Sequence, residues 1–253
     1  MMEALQDTAR RKGPFLISLV ALAAIWEIGG RSTDLITLPP LSDVLVAFYK
    51  LWASGDVTAP LLDSTLALIY GLVISLVFGS LIGIGMGMSR FVEVAVSPYV
   101  KAGLSAPMIA FVPVFLMIFG IGPATRIATV VAFSIFIVAT NAATAMRSSD
   151  PRLIEMAHSF GASRWAIFRD VRLPAGAPYF LAGLRLGVAR GIKGLINGEV
   201  LIAIIGLGGL VKKYGTVFSM DQLYAVILLI VLYAAIAVGL VSMLSKLIVA
   251  EEK

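Results

Sequence analysis

Apolar residues run along this chain in blocks long enough to cross a bilayer, parted by short polar or proline-glycine stretches. About twenty apolar residues carry a helix across the hydrocarbon core. On that measure, spans are predicted over roughly residues 15–30, 61–88, 99–121, 124–146, 178–206 and 223–249. The first is short and has Glu27 near its end, and the second exceeds what a bilayer needs, so it is predicted to tilt. Pro107 and Pro113 are expected to kink or shorten the third, and Gly120-Ile121-Gly122-Pro123 to turn tightly into the fourth. The fifth is the least apolar, and residues 206–211 are its glycine-rich exit. The expected fold class is an all-α membrane protein of about six transmembrane helices.

Shorter periodicities add two features. Leu38-Pro39-Pro40 is a turn, after which Ser42 is predicted to cap a short amphipathic helix. Leu45, Phe48, Tyr49 and Trp52 would form its stripe at i, i+3, i+4 and i+7. Gly79, Gly83 and Gly87 recur every four residues, the small-residue face that lets helix backbones approach closely in lipid.

Residues 147–176 break the apolar pattern. Asp150 is placed to cap a helix that Pro151 opens, since proline's missing N–H costs nothing there. Leu153, Ala157 and Phe160 give that helix one apolar face, and Gly161 stops it by taking a left-handed conformation. Ser163 is placed to cap a second helix carrying Trp165, Phe168 and Val171, which Pro174 is expected to end. By composition alone this segment equally suits a basic amphipathic loop lying on lipid headgroups.

Composition settles the class. Only 14% of the 253 residues are charged, 59% are hydrophobic, and the mean hydropathy is +0.97; soluble domains carry about 25% charged residues. With no cysteine there is no disulfide, Cys-ligated zinc or iron–sulfur cluster. The single histidine, His158, excludes a His-rich metal site and is read as solvent-facing. A net charge of +5 reflects basic cytoplasmic loops rather than nucleic-acid binding. With the N-terminus inside, Arg10, Arg11, Lys12, Arg90, Arg147, Arg152, Arg164, Arg169, Arg172, Lys246 and Lys253 fall inside. Arg31, Lys50, Arg126, Lys212 and Lys213 fall outside. Eleven against five places both termini and residues 147–176 in the cytoplasm. Arg10-Arg11-Lys12 before an apolar run imitates a signal peptide, but no soluble sequence follows, so a retained first span is expected.

No GxxxxGK[ST] phosphate loop, HExxH helix or nucleophile elbow occurs, so any ATP is expected on another subunit. What remains is a set of polar residues at bilayer depth: Asn141 in the fourth span, and Arg185, Arg190, Lys193, Asn197 and Glu199 in the fifth. Arg190, Lys193 and Asn197 fall at i, i+3 and i+7, a face able to line a path and attract an anion. The competing reading has Arg185 and Arg190 snorkelling to the interface while Lys193 pairs with Glu199 or Glu27. Asn141 is explained more cheaply by a polar contact between helices.

Glu155-Met156-Ala157, then Gly161, then Leu173-Pro174, resembles the "EAA" loop of bacterial ABC-importer permeases, with Met156 where the pattern has alanine. Other stretches are similar to the nitrate/sulfonate/taurine/bicarbonate branch of those permeases: Leu38-Pro39-Pro40-Leu41-Ser42, Ala106-Pro107 through Pro113, Phe119-Gly120-Ile121-Gly122, Gly183-Leu184-Arg185, and Glu199 followed by Gly206-Leu207-Gly208-Gly209-Leu210. The resemblance covers about residues 38–210. It implies a single permease domain over residues 1–253, with its core at about 57–248. It implies a coupling-helix loop between the fourth and fifth helices that fits a groove on a cytoplasmic ATPase through Glu155, Met156, Ala157, Phe160, Gly161, Ala162, Leu173 and Pro174. It also implies a second copy of the chain, two ATPase subunits carrying Mg-ATP, and an extracytoplasmic solute-binding protein. The expected setting is the bacterial inner membrane, with no metal or cofactor in this chain. A small anionic or organic solute, sulfonate-, taurine- or nitrate-like, would pass by alternating access along Asn141, Arg190, Lys193, Asn197 and Glu199. An ion-driven secondary transporter would need an internal repeat or a mid-span proton relay. A membrane-embedded enzyme built on Arg190, Lys193 and Glu199 would lack a nucleophile and a cofactor motif.

Overall fold

A computed structural model describes residues 2–32, 37–202 and 205–250, and every regular element among them is helical. The charged tail, residues 251–253, lies outside them. The chain forms two compact units, residues 1–58 with 210–229 and residues 59–209 with 230–253.

In the first unit, α1 spans Met2–Ser32 and α2 spans Leu41–Ala53. The turn at Pro39-Pro40 presses on Gly30, where an added Cβ would lie 2.7 Å from Pro40 backbone. Trp26 Nε1 donates to the Pro39 carbonyl at 3.1 Å. Ser42 does not cap α2. Pro40 holds that position, and Ser42 instead donates its backbone N–H to Glu27 at 2.9 Å. The stripe is also turned: Val44, Ala47 and Leu51 are buried, while Leu45, Tyr49 and Trp52 stay exposed. Side chains on the anticipated face were apolar on both sides of the helix, so periodicity could not tell which side meets protein.

In the second unit, α3 spans Thr58–Met88 and α6 spans Pro123–Arg147. They meet along the glycine repeat. A Cβ on Gly79 would lie 2.9 Å from the Ile135 carbonyl, and one on Gly83 or Gly87 would collide with Ala139 or Met146. Gly71 against Val130 and a Ser75–Ser134 hydroxyl contact of 2.7 Å extend the same seam. Helix α9, Leu173–Ile202, packs on α6 through Gly176, Gly183, Gly187 and Gly194. Ala67, Leu68, Val130, Val188, Ile192 and Leu195 form the core, overlaid by Tyr233, Ala237 and Val241 of α11, Met220–Ala250.

The third predicted span is broken rather than kinked. Helix α4, Arg90–Ser105, gives way to a 3₁₀ turn, Met108–Phe111, and α5, Val112–Phe119, at 94°. Pro107 stands at the break. Pro113 opens α5 at its first turn, where proline is tolerated, and so does not kink it. Gly120, with φ +70°, then turns the chain toward α6.

By length and hydropathy three stretches suffice to cross a bilayer: α3, α6 and residues 220–243 of α11. Two bent pairs raise this to five if each makes one crossing: α4 with 108–119, and 164–202 with α10, Gly206–Thr216. The chain is thus a multi-pass, all-α membrane protein. Residues 206–211, expected as an exit loop, instead open α10.

Residues 147–176 hold α7, Pro151–Ser159, and α8, Arg164–Ile167. Asp150 and Ser163 accept from Arg152 N–H and Ala166 N–H, and Gly161 has φ +76°. Pro174 does not end the second helix. A π-helical turn, Phe168–Arg172, widens the backbone just before it, and the chain runs on into α9. Such bulges accommodate an interrupted hydrogen-bond ladder.

Candidate functional site

Three places in the second unit concentrate polar chemistry. The first is a buried knot on Glu199, which is 1% exposed. Ser64 of α3 donates its hydroxyl to the Glu199 carboxylate at 2.8 Å and accepts Leu207 N–H at 3.0 Å. Gly208 N–H donates to Glu199 Oε2 at 3.0 Å. Glu199 therefore caps the start of α10, which explains why Gly206, with φ +82°, has no room for a Cβ beside the carboxylate. Behind it Arg126, 6% exposed, brings Nη1 to 3.7 Å from Glu199 Oε1. Arg126 had been expected in an outside segment; the structure buries it within the bundle. Sequence reasoning missed Ser64 and Arg126 as partners. The available signal was a basic residue three positions inside an apolar helix.

The second place is the exposed face of α9. Arg190, Lys193 and Asn197 all point away from the core. Arg190 and Asn197 line a cavity of about 260 Å³ with Pro107, Met108, Phe133 and Phe136, so the broken span supplies part of its wall. Lys193 lies outside it and makes no ion pair among the described residues; Glu199 faces Arg126, and Glu27 faces Arg31. The Lys193–Glu199 pairing is thus not formed. Asn141 donates to the Ile137 carbonyl at 2.8 Å and packs on Gly183, a contact between helices. A second, wider groove of about 850 Å³ along α4, α5 and α6 is lined almost wholly by apolar residues such as Phe115, Val131 and Ile135.

The third place is the α7–α8 hairpin. Leu153, Met156, Phe160 and Trp165 are exposed, with Phe160 at 85%, and Trp165 stacks on Phe168 at 5.3 Å. Its base is fastened to the end of α6: Arg172 donates to the Met146 carbonyl at 3.2 Å, Ser148 Oγ to the Ala175 carbonyl at 3.2 Å. Arg147 pairs with Glu93 at 3.1 Å and donates to the Met86 carbonyl at 2.8 Å, joining α3 and α4 to the same corner. In the π-helical turn that follows, Arg169 Nε donates to Asp170 Oδ1 at 2.7 Å. Glu155, Ala157 and Ala162 lie on this hairpin, and Leu173 and Pro174 follow it.

No group of three or more metal-ligating side chains occurs among the described residues. Residues 75–250 match the family described as "Binding-protein-dependent transport system inner membrane component". The chain belongs to this family. It is a transmembrane permease subunit of an ABC importer, moving a small solute across the bacterial inner membrane, with ATP handled by a separate partner rather than by a catalytic site of its own. The permease is 30% identical to the taurine transport system permease protein of Escherichia coli (strain K12), over 78% of this chain and 74% of that one. It is 29% identical to the formylaminopyrimidine transport permease protein of Halalkalibacterium halodurans, over 90% and 91%. A subunit of the MetNI methionine ABC transporter in an inward-facing conformation matches with a TM-score of 0.60 at 21% identity, covering 77% of this permease and 93% of that chain. That likeness speaks for the fold alone.

Proposed function

We propose that residues 1–253 act as one permease domain with six crossings, α1 supplying the sixth, and with both termini and the α7–α8 hairpin in the cytoplasm. Exposed apolar residues along α1, among them Leu16, Ile17, Val20 and Ile25, suit contact with lipid, and the basic excess of the inner segments sets the orientation. Two copies, two ATPase subunits and an extracytoplasmic binding protein make up the working assembly. The hairpin is its coupling element, acting through Glu155, Met156, Ala157, Phe160, Gly161, Ala162, Leu173 and Pro174. One observation carries this reading: an outward apolar and aromatic surface whose base is bonded to α6 and continuous with α9. Force applied at Phe160 or Trp165 is delivered directly to both helices.

The solute path follows the exposed face of α9, with Arg190, Lys193 and Asn197 along it. A cation at bilayer depth costs at least a few kcal/mol unless it faces water or protein. The solute is a small anionic or organic molecule, sulfonate-, taurine- or nitrate-like; the taurine and sulfonate names among the relatives agree with this.

Gly161→Val tests the coupling role. Beyond its chain neighbours, no atom of the described residues lies within 4 Å of a Cβ at Gly161, so the penalty is the left-handed backbone itself, about 1–2 kcal/mol and more for a β-branched residue. ATP-driven uptake into vesicles is expected to be lost while the permease still reaches the membrane. Uptake at the unaltered rate refutes the coupling role.

A further inference from the structure

We propose that the knot around Glu199 is a binding site for one water molecule, which completes the Arg126–Glu199 pair. Nε and Nη1 of Arg126 are buried and meet no acceptor among the described residues, although a buried guanidinium donor without a partner is costly. The 3.7 Å separation from Glu199 Oε1 is too long for a direct hydrogen bond. Beside both groups lies a small cavity with about 10 Å³ of room for a water's centre, walled by Ile121, Gly122, Ile202 and Ile205. That is the scale of one water. Two hydrogen bonds of about 2.8 Å close a triangle over a gap of this length. Charge selects the ligand: a cation would meet Arg126, and an anion would meet Glu199. A small neutral molecule that donates to the carboxylate and accepts from the guanidinium satisfies both.

The water ties α6 to a knot that already joins α3, α9 and α10. Arg126 is therefore a positioning residue, holding the carboxylate that caps α10.

A cryo-EM map of the assembled transporter, at a resolution showing ordered water, should carry one peak within hydrogen-bond reach of Arg126 Nη1 and Glu199 Oε1. Direct side-chain contact across the gap, an empty gap, or a peak of ionic strength overturns the proposal. A second measurement uses Ile202→Phe to fill the cavity. In the natural chain this should lower the melting temperature of the assembled transporter, because it expels the bridge. In an Arg126→Met, Glu199→Met background it should leave the temperature unchanged or raise it. The same response in both backgrounds overturns the proposal, and where the methionine background does not assemble the map decides alone.

Discussion

At Gly83 the backbones of α3 and α6 come so close that a side chain would strike the Ala139 carbonyl and Ala142. Overpacking of this kind costs about 1–3 kcal/mol. Gly83→Leu should therefore lower the thermal stability of the detergent-solubilised permease by a clear margin. Gly239, around which a Cβ meets nothing within 4 Å among the described residues, is the control: Gly239→Ala should be neutral or stabilising by up to about 1 kcal/mol. Glu199 and Arg126 behave differently. Removing one member of a buried pair strands the other, at about 3–5 kcal/mol, whereas removing both is much milder. Melting curves of Arg126→Met, Glu199→Met and the double variant should show the double less damaged than the two singles together. Additive losses would mean the two groups do not interact. The glycine repeat was legible because its spacing alone puts it on one face. The ion pair was not, since Ser64, Arg126 and Glu199 are far apart in the chain and only the packing of three helices joins them.

Among the elements, the α7–α8 hairpin came closest to its reading from residues alone. Asp150, Pro151, Gly161 and Ser163 are local signals, and each acts within four residues of itself. Pro174 was misjudged because a proline's usual effect assumes a standard ladder, and a π-helical turn removes that assumption. The α2 face was misjudged because both of its sides are apolar. Phe160 and Trp165 contribute little to the fold, being exposed, so Phe160→Ser with Trp165→Ser should shift stability by no more than about 0.5 kcal/mol each. The same pair of changes should sharply reduce permease-stimulated ATP hydrolysis. Intact stimulation would show that the hairpin's apolar surface grips no partner.

For the whole molecule, two measurements decide orientation and path. The chain has no cysteine, so an introduced thiol is the sole target for a membrane-impermeant reagent. Ser159→Cys should react only from the cytoplasmic side and Ser54→Cys only from the opposite side; the reverse pattern would invert the topology. Replacing Arg190 and Lys193 together with glutamine should weaken uptake of anionic solutes in reconstituted vesicles. Unchanged kinetics would assign both cations to the lipid edge. Span positions were readable from hydropathy for α3, α6 and α11, whose length and apolarity need no help from neighbours. The division of the third span was not, because Pro107 marks a site of weakness without fixing the direction the chain takes beyond it.

That right-angled division has a mechanical consequence. A rod carried straight through a bilayer passes twist from one end to the other, but an elbow at 94° does not. Rotation of α4 about its own axis sweeps α5 sideways, while a tilt of α4 can leave α5 spinning nearly in place. The cavity wall at Pro107 and Met108 sits on the elbow, so small turns of one arm would open or narrow it without lengthening, shortening or unwinding either helix.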